Sequence, residues 1–156
     1  MLRVLIEGGD STGKSHLAKA LTEELIRRGH TVSLWREPGG TPQAEGIRQW
    51  LKDHHQGSSA LSIALAFQCA RVSSWEAQCA WAKDHPEGII VCDRSWPSTV
   101  AYQGPEVGEE LEGIIKIGKE LIAGQKQLMI LLETRLITEG REDELDLTPD
   151  NHEEIT

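Results

Sequence analysis

Four short apolar runs along the chain predict β-strands. They cover residues 2–7, 31–35, 88–93 and 127–132. The run at 88–93 is the strongest, because it is continuously apolar and ends in an acid, as a central parallel strand does. A helical pattern separates the first two runs, so they form a βαβ unit and predict a parallel sheet.

Four longer segments carry apolar residues at helical spacing, namely 14–28, 42–54, 59–85 and 106–123. Each predicts a helix with one buried face, and Gly29 ends the first as a natural C-cap. No helix or strand is predicted for residues 95–104. The predicted inward positions are Leu17, Ala18, Leu21, Leu25, Ile47, Trp50, Leu51, Leu61, Ala64, Leu65, Val72, Trp75, Leu111, Ile114, Ile115 and Leu121.

The order of these elements predicts an α/β fold with three layers, in which a small parallel sheet is flanked by helices. A chain of 156 residues suits one domain with a sizeable core. Residues 1–133 hold all the predicted elements. We expect residues 134–156 to form a shortened lid and an acidic tail, and the tail from Glu142, which is rich in Asp and Glu, to be frayed or partly disordered.

The composition narrows the classes of partner. The formal charge of −9 argues against nucleic acid or an anionic membrane, because binding to phosphate backbones requires a basic face. No apolar run approaches membrane-spanning length and no signal peptide precedes the first strand, so we expect a cytoplasmic protein. Cys69, Cys79 and Cys92 show no C-x-x-C pairing and are predicted to be small core residues in a reducing compartment.

A phosphate-binding loop follows the first predicted strand. Its pattern is G-x-x-x-x-G-K-[ST], and a helix follows it at once, which is the context that separates a true phosphate loop from a chance glycine-rich turn. The backbone N–H groups and the helix N-terminus are expected to hold nucleotide phosphates, with Lys14 on the outer phosphates and Ser15 on Mg²⁺. The loop residues are Gly8, Gly9, Asp10, Ser11, Thr12, Gly13, Lys14 and Ser15.

Charged residues also follow the second and third predicted strands. Arg36 and Glu37 open a glycine- and proline-rich loop, and Asp93 and Arg94 stand at the end of the strongest strand. The carboxyl ends of parallel strands line the ligand crevice of such sheets, so these side chains are expected near the phosphate loop. Asp93 is expected to bind Mg²⁺ there. The alternative for each pair is an ion pair without a part in the chemistry.

Phe67 and Arg71 stand one helical turn apart on the third predicted helix. A flat ring beside a planar cation can stack on a nucleobase and hydrogen-bond with it. The alternative, a core phenylalanine with a surface arginine, is the more common meaning of such spacing.

Together these residues resemble the thymidylate kinases, which phosphorylate dTMP to dTDP with ATP and Mg²⁺. The resemblance covers roughly residues 1–133 and is more specific than a phosphate loop alone. The motifs that carry it are Glu7-Gly8-x-Asp10 before Gly13-Lys14-Ser15, the run from Arg36 to Pro42, Phe67 with Arg71, Asp93-Arg94, and Ser98-Thr99 followed by Ala101-Tyr102-Gln103-Gly104.

The resemblance implies a role for each residue of an acceptor site. Asp10 helps to hold the monophosphate and the metal near the loop, and Arg36 and Arg94 grip the acceptor phosphate. The base stacks on Phe67 and hydrogen-bonds with Arg71. The remaining acceptor-site residues are Glu37, Thr99 beside the base, Tyr102 under the sugar, where it disfavours a ribose 2′-hydroxyl, and Gln103.

The chain departs from the family pattern at two places. Ser11 stands where some members carry an arginine in the loop, so the transition-state charge requires cations from the lid after the fourth strand, for which Arg141 and Arg135 are the candidates. The lid looks shortened, and the chain is expected to be a C-terminally short version. The family's pairing through helices points to the helix of Trp75 and Trp81 as a homodimer surface, unless both are core residues.

The sequence therefore predicts a nucleoside monophosphate kinase that phosphorylates dTMP by direct in-line transfer from ATP. Two alternatives remain: a divergent or inactive nucleotide-binding protein, and a kinase of a different deoxynucleoside monophosphate. A monophosphate pocket distinguishes a kinase from a nucleotide switch, and no guanine-reading Asn/Lys-x-x-Asp motif is found.

Overall fold

The computed structural model describes residues 1–121 and 124–133. The elements follow the predicted alternation of strands and helices. In chain order they are β1 (Leu2–Gly8), α1 (Lys14–Arg27), β2 (Val32–Arg36), α2 (Pro42–His54), α3 (Ala60–Asp84), β3 (Ile89–Asp93), α4 (Trp96–Val107), a 3-10 turn (Gly108–Glu110), α5 (Leu111–Leu121) and β4 (Lys126–Leu132).

The strands form a four-stranded parallel sheet in the order β2-β3-β1-β4. The central pairing aligns Leu2 with Ile89 and Ile6 with Asp93. The end of β3 therefore lies beside the end of β1, where the glycine loop begins. This arrangement confirms the predicted α/β fold and brings both candidate motifs to one edge of the sheet.

Side chains of β1 alternate between the two faces of the sheet, as the pleat requires. Val4 and Ile6 pack on one face with Ala18 of α1, and Leu17, Leu21 and Leu25 complete that layer. Leu5 points to the opposite face, where it packs with Ile90, Cys92, Trp35 and Trp81. Helices on both faces make the three layers that the sequence predicts.

Local signals explain several helix ends. Gly13 is the N-cap of α1 in the left-handed region, at φ 87°, and Gly29 follows the end of α1 with the same φ. The Thr41 hydroxyl accepts a hydrogen bond from the backbone N–H of Ala44 at 3.1 Å, which caps α2, and Ser59 caps α3 in the same way. These polar and glycine caps are why the predicted bounds of the first three helices lie close to the observed ones.

The prediction of one helix over 106–123 was wrong. A helix already begins at Trp96, and residues 106–121 hold the end of α4, the 3-10 turn and α5. Pro97 lies in the first turn, where its missing N–H has no helical partner in any case. Gly104 belongs to the helix, and a Cβ there would stand 3.1 Å from a methyl group of Leu111, so the residue marks close packing rather than a break.

Some predicted core positions are exposed. Trp50 is 42% and Leu65 47% exposed, and Cys69 is also exposed, so these three assignments were wrong. Trp50 stacks on His54 at 5.6 Å between ring centroids. The buried faces of α2 and α3 instead include Ala44, Leu51 and Ala64.

No helix within the described ranges is long and apolar enough to cross a membrane.

Candidate active site

The loop between β1 and α1 is held by hydrogen bonds from its own side chains to its backbone. Lys14 is 5% exposed, and its Nζ donates to the carbonyl oxygen of Gly9, while Thr12 Oγ1 donates to the same carbonyl at 2.9 Å. Gly8 has φ 151°, and a Cβ there would stand 2.5 Å from the Leu132 carbonyl oxygen. Only glycine fits at position 8, and the loop ends at the N-terminus of α1, which is the geometry of a phosphate-binding loop.

Two oxygen-bearing side chains meet at the start of α1. Ser15 Oγ donates to the carboxylate of Asp93, which ends β3 and is 5% exposed. Mg²⁺ takes oxygen ligands and commonly combines one or two protein groups with phosphate oxygens and water. Within residues 1–121 and 124–133, no group of three or more His, Cys, Asp and Glu side chains is placed to hold a metal ion. The pair therefore fits Mg²⁺ that arrives with nucleotide phosphates.

Arg94 lies between the loop and α4. It has φ 67°, and its guanidinium forms an ion pair with Asp10 of the loop. Its Nη1 donates to the hydroxyl of Tyr102 at 3.3 Å, and that hydroxyl donates to Asp10 at 2.9 Å. Burial raises the pKa of Tyr102 to about 12, so the hydroxyl stays neutral and can donate. The three side chains form one connected cluster.

This cluster borders a cleft of about 640 Å³, a size that suits a nucleotide-sized ligand. The cleft runs from the glycine loop to α4 and to the end of β4. It is lined by Glu7, Gly8, Gly9, Asp10, Thr12, Pro97, Ser98, Ala101, Tyr102, Met129, Leu131, Leu132 and Glu133.

Glu7 is a cleft residue to which the sequence analysis gave no role. Its carboxylate accepts hydrogen bonds from the backbone N–H of Ser95 and from Ser98 Oγ, both at 2.7 Å. It thereby ties the end of β1 to the start of α4. Burial raises the pKa of Glu7 above its usual value, against the opposing effect of these hydrogen bonds. An acid that ends an apolar strand just before a glycine loop was the available signal.

The residues predicted to recognise the base are buried and do not line the cleft. Phe67 is 6% exposed and packs with Leu51 and Ile63, as a core residue does. Arg71 is 4% exposed, so it is not the surface arginine of the alternative interpretation. Its Nε donates to Thr99 Oγ1 at 3.1 Å and its Nη1 faces Glu37 Oε2 at 3.4 Å. Burial lowers the pKa of Arg71, and the charge of Glu37 opposes that shift.

Other predicted site residues lie elsewhere. Arg36 is exposed and lines a separate polar pocket of about 200 Å³ with Arg48 and Lys52. Glu37 is buried behind Arg71, and Gln103 lies on α4 without lining the cleft. The predicted lid residues Arg135 and Arg141, like the whole proposed lid and tail at 134–156, lie outside the described residues.

Comparison with known proteins identifies a family to which the chain is similar. The family model described as "Thymidylate kinase" matches residues 6–143. A thymidylate kinase of Gluconobacter oxydans is 37% identical over 135 residues, which are 85% of this chain and 63% of that protein. A thymidylate kinase of Chlorobaculum parvum is 35% identical over 116 residues, 74% of this chain and 53% of that protein.

A solved structure agrees with the sequence matches. The crystal structure of thymidylate kinase from Ehrlichia chaffeensis superposes with a TM-score of 0.72 at 30% identity and covers 85% of this chain and 74% of that chain. The chain spans 63% and 53% of the length of the two curated relatives. The family model thus spans the glycine loop and every residue that lines the cleft, whereas the matches do not cover the full length of the relatives.

Proposed function

The chain belongs to the thymidylate kinase family, and we propose that it transfers the γ-phosphoryl group of ATP to a deoxynucleoside monophosphate, with dTMP as the preferred acceptor. The observation that carries the proposal is the position of Arg94. This cation is paired with Asp10 of the phosphate loop and donates to the hydroxyl of Tyr102, and both of these partners line the cleft. A donor loop and a cation for the acceptor phosphate thus lie side by side.

On the donor side, the loop amides and Lys14 would hold the phosphates of ATP. The low exposure of Lys14 and its contact with the Gly9 carbonyl keep its ammonium on the loop. Ser15 and Asp93 would hold Mg²⁺ directly or through water, and the ion would neutralise charge that develops on the phosphates.

On the acceptor side, Arg94 would bind the monophosphate. Its side chain is part-buried and paired with Asp10, so an incoming phosphate exchanges one anionic partner for another rather than meeting an uncompensated cation. The proposed contact of Arg36 with the same phosphate requires it to approach from its own pocket beside α2. Arg141 remains the proposed lid cation.

The base would be read by Phe67, Arg71 and Thr99, with Tyr102 and Gln103 near the sugar. Arg71 and Thr99 are already hydrogen-bonded to each other, which fixes one edge of the guanidinium. The Tyr102 ring lines the cleft and is held by Asp10 and Arg94. A rigid ring at this position would exclude a ribose 2′-hydroxyl by contact.

The proposed step is in-line displacement by a phosphate oxygen of the acceptor at the γ-phosphorus of ATP. The new P–O bond forms as the bond to the ADP leaving group breaks. The second pKa of a phosphate monoester is about 6, so the attacking oxygen is largely ionised at neutral pH and requires no strong general base. Positioning and charge neutralisation by Lys14, Arg94 and the loop amides account for the acceleration.

The test is ADP release with ATP and each common nucleoside monophosphate in turn. We expect ADP formation with dTMP at the highest kcat/KM and weaker formation with other deoxynucleotides. A different preferred deoxynucleotide would keep the kinase and change its substrate. ADP formation that is independent of any acceptor, or none at all, would contradict the proposal.

A homodimer through α3 and a cytoplasmic location belong to the same proposal. Trp81 packs against Leu5 and Cys92 on the sheet and stacks on His85 at 4.4 Å, so it contributes to the core. A dimer surface on α3 would therefore use its outer residues. Sedimentation equilibrium distinguishes a dimer from a monomer.

A further inference from the structure

Arg3 is a buried charge on the central strand. It is 2% exposed and lies on β1 on the same face as Leu5 and Glu7, toward α3. A buried arginine is tolerated only with close partners, because an unpaired buried charge is strongly destabilising. No part of the proposed transfer step uses it.

The polar partners of Arg3 are Glu37, Gln78 and, more distantly, the Cys92 sulfur at 3.8 Å. Arg3 Nη2 donates to Glu37 Oε1 at 3.2 Å and to Gln78 Oε1 at 2.8 Å. Gln78 Nε2 donates to the same Glu37 oxygen at 2.7 Å. Two nitrogen donors therefore occupy Oε1 of Glu37, the Cys92 thiol donates to it weakly at 4.0 Å, and the side chains of Arg3, Glu37 and Gln78 are at least 96% buried.

The other oxygen of Glu37 faces Arg71. The distance from Arg71 Nη1 to Glu37 Oε2 is 3.4 Å, which is a longer and single contact. The Glu37 backbone is also fixed, since its N–H donates to the Asp93 carbonyl oxygen at 2.9 Å. Glu37 thus stands between two guanidinium groups and shares one oxygen with each.

This sharing matters because a free carboxylate beside an arginine prefers a bidentate pair with two parallel hydrogen bonds. Arg3 and Gln78 hold Oε1 and leave Arg71 with one contact to Glu37 and one to Thr99. Those contacts use Nε and Nη1 of Arg71 and do not involve Nη2. Without Arg3, Oε1 would lose its charged donor and keep the Gln78 amide, so Glu37 would be held less firmly against a bidentate pair with Arg71.

We propose that Arg3 is a positioning residue: by holding Glu37, it keeps Arg71 in the orientation that recognises the base of the acceptor nucleotide. Gln78 supports Arg3 in the same role. The inference rests on the proposed function, because it assumes that Arg71 contacts the base. It assigns Glu37 to the support of Arg71 rather than to direct contact with substrate.

The test compares steady-state kinetics of the wild type and Arg3→Met. We expect KM for dTMP to rise roughly tenfold, as for loss of one well-oriented charge-assisted hydrogen bond, with kcat and KM for ATP within about twofold. Arg3→Lys should recover part of the loss, since an ammonium still donates to Oε1. An unchanged KM for dTMP in a folded Arg3→Met protein would overturn the inference while leaving the proposed function intact.

A control separates positioning from general stability. Thr22 is buried on α1, across the sheet from Arg3, and donates to the Ala18 carbonyl oxygen at 2.8 Å. Thr22→Val should lower the free energy of unfolding in urea without changing KM for dTMP. An equal rise of KM in this variant would show that the effect of Arg3 is not specific, and would overturn the inference.

A second variant covers the case in which Arg3→Met does not fold. Gln78→Leu leaves the Arg3–Glu37 pair and removes one donor from Oε1, so we expect KM for dTMP to rise about threefold. No rise in this variant would then overturn the inference. If the wild type itself neither binds dTMP in calorimetry nor phosphorylates it, the proposed function fails and the positioning role fails with it.

Discussion

The guanidinium of Arg94 pairs with the carboxylate of Asp10, although 84 positions separate the two residues in the chain. The pairing follows from the sheet, because β1 and β3 are adjacent and parallel, and each ends at the same edge. A residue of the phosphate loop and a residue after the central strand thereby form one cluster with Tyr102.

Arg94→Met should abolish most phosphoryl transfer. The variant keeps the bulk of the side chain but removes the cation from Asp10 and from its proposed contact with the acceptor phosphate, so we expect kcat/KM for dTMP to fall roughly 10²–10³-fold. Initial rates of ADP release measure this. Arg28→Met, in an exposed ion pair with Glu24, is the matched control and should keep wild-type rates.

Lys14→Ala should lose most activity and keep the fold. The ammonium is held on the glycine loop and its removal leaves the donor phosphates without their cation, so a fall in kcat of roughly 10²–10³-fold is expected. Circular dichroism and urea unfolding check the fold, and Lys19→Ala on the exposed side of α1 is the control. Unchanged turnover would remove Lys14 from the donor site.

Tyr102→Ala should weaken discrimination against ribonucleotides. The ring lines the cleft, and its loss opens space for a 2′-hydroxyl, so the ratio of kcat/KM for dTMP to that for the matching ribonucleotide should fall. Tyr102→Phe keeps the ring and loses only the hydrogen bonds of the hydroxyl with Asp10 and Arg94, so it should retain most of the discrimination against the ribonucleotide. Equal ratios in wild type and Tyr102→Ala would contradict the role of the ring.

Glu7→Gln should change how stability depends on pH. Burial raises the pKa of Glu7 above 4.5, so the folded protein binds this proton more tightly than the unfolded chain does. The resulting stabilisation is fully present below the unfolded pKa and is lost as pH rises through the folded pKa. The variant cannot ionise, so its free energy of unfolding in urea should increase relative to that of the wild type as pH rises from about 4.5 through the raised pKa of Glu7. A difference that is constant with pH, or has the opposite slope, would contradict this.

The three cysteines should differ in their reaction with an alkylating reagent. Cys69 is exposed on α3, whereas Cys92 is fully buried and its burial raises the pKa of the thiol to about 12. Because the thiolate is the reactive form, Cys69 should be labelled first in mass spectrometry at neutral pH, and Cys92 only on unfolding. Labelling of native Cys92 as fast as Cys69 would show that the β3 face is open to solvent.

The sequence was sufficient for the elements that carry strong local signals. The glycine loop, the caps at Thr41 and Ser59 and the apolar run of β3 are all local, and the predicted bounds there lie close to those observed. The helical segment from Trp96 to Gly104 was missed because its proline and its glycine are typical of loops, whereas the tight packing of Gly104 against Leu111 is a tertiary effect.

The site could be predicted only in part, because some of its contacts also depend on tertiary packing. The edge of the sheet places Asp10, Ser15, Asp93 and Arg94 together, and strand order alone explains that. Arg3 gave no signal, because its partners lie 34 and 75 positions away and an arginine in a strand usually faces solvent. Arg36 points to a pocket beside α2, which no pattern in the sequence indicates.

The central claim is that a donor and an acceptor nucleotide bind at one edge of the sheet and that a phosphoryl group is transferred between them there. The most direct test uses ATP labelled at the γ-phosphate together with dTMP, followed by separation of the nucleotides. We predict that the label appears in dTDP in equal amount to the ADP formed. Label that appears only as inorganic phosphate, or that remains in ATP, would contradict the account.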